Sequence, residues 1–167
     1  MELYHMDTNS NSKNNTGILL IGHGSRLPYN KEVVNKIAEK YSEKNPEYNV
    51  EVGFMELAEP NIPTAFNKLK ETGVDRIIVT PVFLADGMHT KRDIPKILGL
   101  EPEIEETNEE HHHDHEHGHG HEHGHHHHHH DEEPQHVEFD GEIIYTKPLG
   151  ADDLIVDIVA SRVNEHL

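Results

Sequence analysis

The chain has 167 residues, no cysteine and a formal charge of −18, which suits one domain and excludes disulfides and thiolate metal sites. It offers no basic stripe for nucleic acid, no apolar run near the roughly 18 residues of a membrane span and no apolar N-terminal stretch of a signal peptide. A cytoplasmic protein is expected, with no nucleic-acid or membrane partner.

Residues 1–15 are polar and without periodicity, and read as a disordered tail ahead of an α/β domain over residues 16–167. Ile18–Ile21 is a short apolar strand. Asn30–Lys44 carries Val33, Val34, Ile37, Ala38 and Tyr41 at the spacing of one helix face. Val50–Leu57 reads as a second strand. Asn61 is placed to cap a helix that turns Ile62, Ala65, Phe66 and Leu69 inward and stops at Gly73. Ile77–Leu84 is nearly all apolar, as in a strand covered on both faces. Thr90 and Asp93 have capping-box spacing ahead of Ile94, Ile97 and Leu98.

Residues 101–133 interrupt the pattern. They hold 12 of the 32 acids and neither Lys nor Arg, leaving 20 acids against 14 bases elsewhere, an ordinary soluble surface. A fourth strand, Glu142–Thr146, follows, then a helix marked by Leu154, Ile155, Ile158, Val159 and Val163.

The order βαβαβα, insert, βα implies a single-lobe, four-stranded parallel sheet with helices on both faces. In such sheets ligands bind beyond the carboxyl ends of the strands, where the strand order reverses. The residues there are His23, Ser25 and Arg26 after strand one, Glu56 near the end of strand two, and Asp86, Met88, His89, Lys91 and Arg92 after strand three. Lys147 and Gly150 follow strand four. A strand order 2-1-3-4 brings His23 and His89 to one crevice, with Glu56 on the adjacent strand.

Three chemistries compete for that crevice. A phosphohistidine phosphatase wants an Arg directly before its His, but residue 22 is Gly. A serine hydrolase would pair Ser25 with His89, but the turn lacks the G-x-S-x-G elbow. A divalent metal site suits neutral imidazole with a helping carboxylate. Two histidines without a fixed third ligand hold an ion poorly as structure and better as transient cargo.

The stretches LLIGHGSR, GFMELAEPNIP and VTPVFLADGMHTKRDIP resemble the small sirohydrochlorin chelatases, which insert cobalt or nickel into a tetrapyrrole on the routes to cobalamin or the nickel coenzyme of methanogenesis. The resemblance covers all but the tail and the insert, and is to the short archaeal form that acts as a homodimer. It implies a chelatase-like fold and a lyase with no permanent cofactor, taking Co2+ or Ni2+ as substrate ion. It implies that His23 and His89 are the active-site pair. They are expected to be metal ligands and proton acceptors, with Glu56 supporting them catalytically. Ser25, Arg26, Met88, Lys91 and Arg92 lie in the loops expected to receive the polycarboxylate sirohydrochlorin. Gly22, Gly24 and Gly87 are candidates for letting the flat ring approach the backbone. A ring that size wants two walls and one lobe offers one, which also favours a two-fold dimer.

The insert includes His111–Asp131, with 14 histidines and almost no apolar residue. It reads as a disordered, metal-binding tract, serving metal storage or delivery or serving nothing, and not as a site of catalysis. The rival to the enzyme is a metal reservoir or chaperone on a chelatase-like scaffold.

Overall fold

A computed structural model describes residues 15–105 and 136–167. The expected tail up to residue 14 and the histidine tract lie outside the described residues. Four strands, β1 (Thr16–Gly22), β2 (Asn49–Phe54), β3 (Arg76–Pro81) and β4 (Glu142–Tyr145), form one parallel sheet in the order β2-β1-β3-β4. Leu19 of β1 pairs with Glu51 on one side and Val79 on the other. Every residue of β1 is buried, because it has a strand on each edge and helices on each face.

Alternation along β1 divides the core in two. Ile18 and Leu20 meet Val34 and Ala38 of α1 (Tyr29–Lys44) and Val52 and Phe54 of β2. Leu19 and Ile21 meet Ile62, Phe66 and Leu69 of α2 (Ile62–Glu71), and Ile94 and Leu98 at the short α3 (Ile94–Ile97). Asn61 caps α2 as its sequence position suggests: its Oδ1 accepts the Thr64 N–H at 2.9 Å. Gly73, at φ 85°, follows its end.

Several expectations need correction. The strands predicted over Val50–Leu57 and Ile77–Leu84 are both shorter, so Met55, Glu56 and Val82–Leu84 belong to loops at the carboxyl edge. Helix α1 buries a narrower stripe than its apolar spacing implies: Val33 is 57% exposed and Ile37 40%. The last helix, α4 (Asp153–Asn164), buries no residue at all. Thr90 and Asp93 form no capping box, because both lie inside a π-helical turn, His89–Asp93. Both expected boundaries also shift. Asn15 is tied in, its carbonyl accepting the N–H groups of Asp75 and Arg76, and Glu103, assigned to the insert, donates its N–H to the Lys91 carbonyl. Among the described residues no helix is long and apolar enough to cross a membrane.

Candidate metal centre

The carboxyl ends of β1, β2 and β3 are neighbours in the sheet, and each delivers one side chain. His23 follows β1, Glu56 lies two residues past β2, and His89 opens the π-turn beyond β3. One ligand atom from each of the three lies within 4.8 Å of the other two. The imidazole centroids of His23 and His89 are 5.0 Å apart, with the rings edge to face. His23 Nε2 lies 3.8 Å from Glu56 Oε1. The sequence-derived trio is therefore one cluster, open to solvent on one side and backed by Phe83, whose ring centroid is 5.9 Å from that of His23.

Local backbone explains the convergence. The β1–β2 pairing runs on past the strands: Met55 N–H donates to the Gly22 carbonyl at 3.0 Å and Glu56 N–H to the His23 carbonyl at 3.3 Å. That holds His23 and Glu56 side by side. Gly24 follows at φ 84°, in the left-handed region that costs residues with a Cβ. Its N–H donates to Asn30 Oδ1 at 2.9 Å, which ties the turn to α1. His23 Nδ1 lies 2.9 Å from the Gly24 carbonyl. A carbonyl only accepts, so the proton is on Nδ1 and the Nε2 lone pair is left to the centre. Leu57, just past Glu56, also has positive φ, at 57°, the kind of backbone strain that concentrates at functional sites.

Two of the glycines thought to admit a flat ring instead admit the protein. A Cβ on Gly22 would lie 2.7 Å from the Phe54 ring, and one on Gly24 1.7 Å from the Glu56 carbonyl oxygen. Of those three, Gly87 alone faces open space.

On the third loop, Pro95 accounts for the π-turn. It has no N–H for the Lys91 carbonyl, and its ring crowds that carbonyl. The chain widens there: Ile94 N–H bonds five residues back to His89 O. The carbonyls left over find other donors. Tyr145 Oη donates to Thr90 O at 2.7 Å, and Glu103 N–H donates to Lys91 O at 2.8 Å. Such π-turns are frequent at functional sites.

The expected substrate-binding residues have unequal freedom. Arg26 and Met88 are exposed at the rim. Ser25 Oγ accepts the Leu27 N–H at 3.2 Å, and among the described residues no hydrogen bond joins it to either imidazole, which removes the geometry a serine hydrolase needs. Lys91 is bound by the Glu103 carboxylate and lies 3.7 Å from that of Asp86. The hydrogen bond it donates to Glu103 holds its ammonium above the ordinary lysine value. Arg92 Nε donates to Asp93 Oδ1 at 2.7 Å. Burial raises the Asp93 carboxyl, but hydrogen bonds from Arg92 and His89 outweigh it and hold the group below its usual range.

The family model described as CbiX matches residues 17–166. The chain belongs to the CbiX family. It is 54% identical over 162 residues to the sirohydrochlorin cobaltochelatase of Methanothermobacter thermautotrophicus, covering 97% of this chain and all of that one. It is 60% identical over 145 residues to the sirohydrochlorin cobaltochelatase of Methanococcus aeolicus, covering 87% and 95%. In three dimensions it is similar to SirB from Bacillus subtilis with Fe3+, with a TM-score of 0.60 and 25% identity. That match covers 90% of this chain and 46% of SirB. The expected chelatase-like α/β fold is thereby established.

Sequence reasoning missed five residues that shape this CbiX site. Asp93, assigned to a cap, has its Oδ2 2.8 Å from His89 Nδ1; its four-residue spacing from His89 was a readable helix-pair signal. Asn30, Phe83 and Tyr145 act across the fold, and nothing local in the sequence marks them. Lys31 also lines a groove of about 650 Å³ beside Glu56, with Met55, Leu57 and Asn61.

Proposed function

We propose that this CbiX-family chain is a sirohydrochlorin chelatase, a lyase that inserts Co2+ or Ni2+ into the tetrapyrrole for cobalamin or nickel-coenzyme biosynthesis. The observation that carries this reading is the convergence of His23, Glu56 and His89 at neighbouring strand ends, open on the side from which a flat ring would come. The names of its relatives support the substrate.

Insertion has to strip water from the ion, take both pyrrole N–H protons and release the metallated ring. Two imidazoles and a carboxylate bind a first-row divalent ion through two borderline nitrogens and a harder oxygen. A three-ligand set leaves open positions for ring nitrogens. Neutral imidazole also accepts a proton near neutral pH. His23 and His89 act as ligands and proton acceptors, and Glu56, beside His23 Nε2, assists. Arg26 and Lys31 meet the ring's carboxylates, Arg26 through its two-pronged guanidinium. Met88 offers an apolar contact, Ser25 a hydroxyl, and Arg92 its guanidinium. Lys91, already neutralised by two carboxylates, contributes least. The ion is substrate, and no resident cofactor is required. Cytoplasmic location remains the expectation.

The working unit is a homodimer. One lobe presents one wall, and this chain corresponds to less than half of the SirB chain it overlays. A second copy supplies the missing lobe. The face available for it is α4: Leu154, Val156, Ile158, Val159 and Val163 are all at least half exposed. Ile155, Val156 and Val159 also line an apolar groove of about 620 Å³ with Leu84 and Pro148.

The test is anaerobic absorbance of sirohydrochlorin with Co2+ or Ni2+, with the uncatalysed rate subtracted. Acceleration with either ion supports the reading. No acceleration with either leaves the metal-reservoir alternative, which the 14 histidines of residues 111–131 favour.

A further inference from the structure

The two histidines of the centre are held differently. His23 has its Nδ1 against the carbonyl of the next residue, so its ring is fixed by the turn that carries it. His89 Nδ1 instead faces a side chain, Asp93 Oδ2, at 2.8 Å. The other oxygen of that carboxylate accepts from Arg92 Nε at 2.7 Å. Each Asp93 oxygen thus has its own donor, and the carboxylate is gripped from both sides. All three residues lie in the π-turn that Pro95 imposes.

We propose that Asp93 is the positioning residue of His89, accepting the hydrogen bond of its Nδ1–H so that the ring presents its Nε2 lone pair to the cluster with His23 and Glu56. An ionised carboxylate is acceptor-only, so a bond this short fixes the proton on Nδ1. A free neutral imidazole has no such restriction, and its tautomer is set by whichever nitrogen is hydrogen-bonded. Without Asp93, His89 is free to place its proton on Nε2, the atom that the ion or the pyrrole proton must reach. Arg92 secures the Asp93 rotamer, which gives that guanidinium a task besides contact with the ring. Asp93 touches neither ion nor ring, so it acts only through His89. The catalytic part of this inference rests on the chelatase reading. The tautomer part does not.

The experiment is long-range 1H–15N correlation NMR of the full-length, 15N-histidine-labelled protein, metal-free, at a pH where imidazole is neutral. His89 is assigned by its disappearance in His89→Gln. In the wild type, His89 is expected as the Nδ1–H tautomer. Finding it as Nε2–H overturns the proposal without recourse to any variant. Asp93→Ala is expected to shift His89 towards Nε2–H, whereas Asp93→Asn, which keeps an acceptor oxygen, restores Nδ1–H. An unchanged tautomer in a folded Asp93→Ala also overturns the proposal. In cobalt insertion, Asp93→Ala is expected to lose about 10- to 100-fold, the usual range for a residue behind a metal-binding His, with Asp93→Asn recovering most of it. If the tautomers follow this pattern and the wild type inserts no metal, the positioning role stands and the chelatase reading fails.

Discussion

A Cβ added to Gly24 would lie 1.7 Å from the carbonyl oxygen of Glu56. The two residues follow different strands, and their contact sets how closely His23 and Glu56 approach. Gly24→Ala has to push the β1 and β2 ends apart, and it also meets the left-handed φ of 84°, which alone costs a residue with a Cβ about 1–2 kcal/mol. Urea unfolding is expected to show at least that loss, and the cobalt-insertion rate should fall to background. A Gly24→Ala protein of wild-type stability contradicts this account of the turn.

Phe66 is fully buried and packs edge to face on Phe139, with centroids 5.4 Å apart. It belongs to the α2 side of the core, remote in role from metal. Phe66→Ala is expected to cost about 3–5 kcal/mol in denaturant unfolding. If the variant stays folded, it should retain cobalt insertion under native conditions. A loss below about 1 kcal/mol would show that the side chain is not packed as described.

Tyr145 should make stability sensitive to alkali. Burial is the main reason that its hydroxyl holds its proton well above the ordinary tyrosine value, and the carboxylates of Asp86 and Glu103 add to it. A group raised in the folded state contributes fully below its unfolded pKa, about 10 for tyrosine, and the contribution is lost as pH climbs beyond that. At pH 7.5, Tyr145→Phe should be less stable by about 1 kcal/mol, for the lost bond to the Thr90 carbonyl. Above pH 10 the gap should narrow. Unfolding curves at pH 7.5 and 10.5 check this, and a constant gap would contradict it.

If α4 is where a second copy docks, Val159→Glu should convert a dimer to a monomer in sedimentation velocity. Val159 is 57% exposed in the single chain, so the fold should survive the charge. A dimer that persists unchanged places the interface elsewhere.

The sequence carried the order of elements and the His23–Glu56–His89 trio, because apolar runs and strand-end positions are local signals and the 2-1-3-4 order makes those ends neighbours. It could not show how helices divide their apolar residues. Val33, Ile37 and the whole face of α4 have the spacing of buried residues, and spacing records apolarity without saying what covers it. The π-turn was hidden for another reason. Thr90 and Asp93 match a capping box by spacing, but Pro95 shifts the hydrogen bonds of that turn and frees Asp93 to face His89. Lys91 looked available for a ligand because its partners, Asp86 and Glu103, come together only through the fold.

The most direct test of the central claim compares anaerobic Co2+ insertion into sirohydrochlorin by wild type, by His23→Ala with His89→Ala, and by a chain lacking residues 111–130. The double variant should fall to the uncatalysed rate, while the deletion keeps at least half of the wild-type rate at saturating Co2+. A double variant that still accelerates insertion, or a deletion that alone abolishes it, would contradict the assignment of the chemistry to the strand-end cluster.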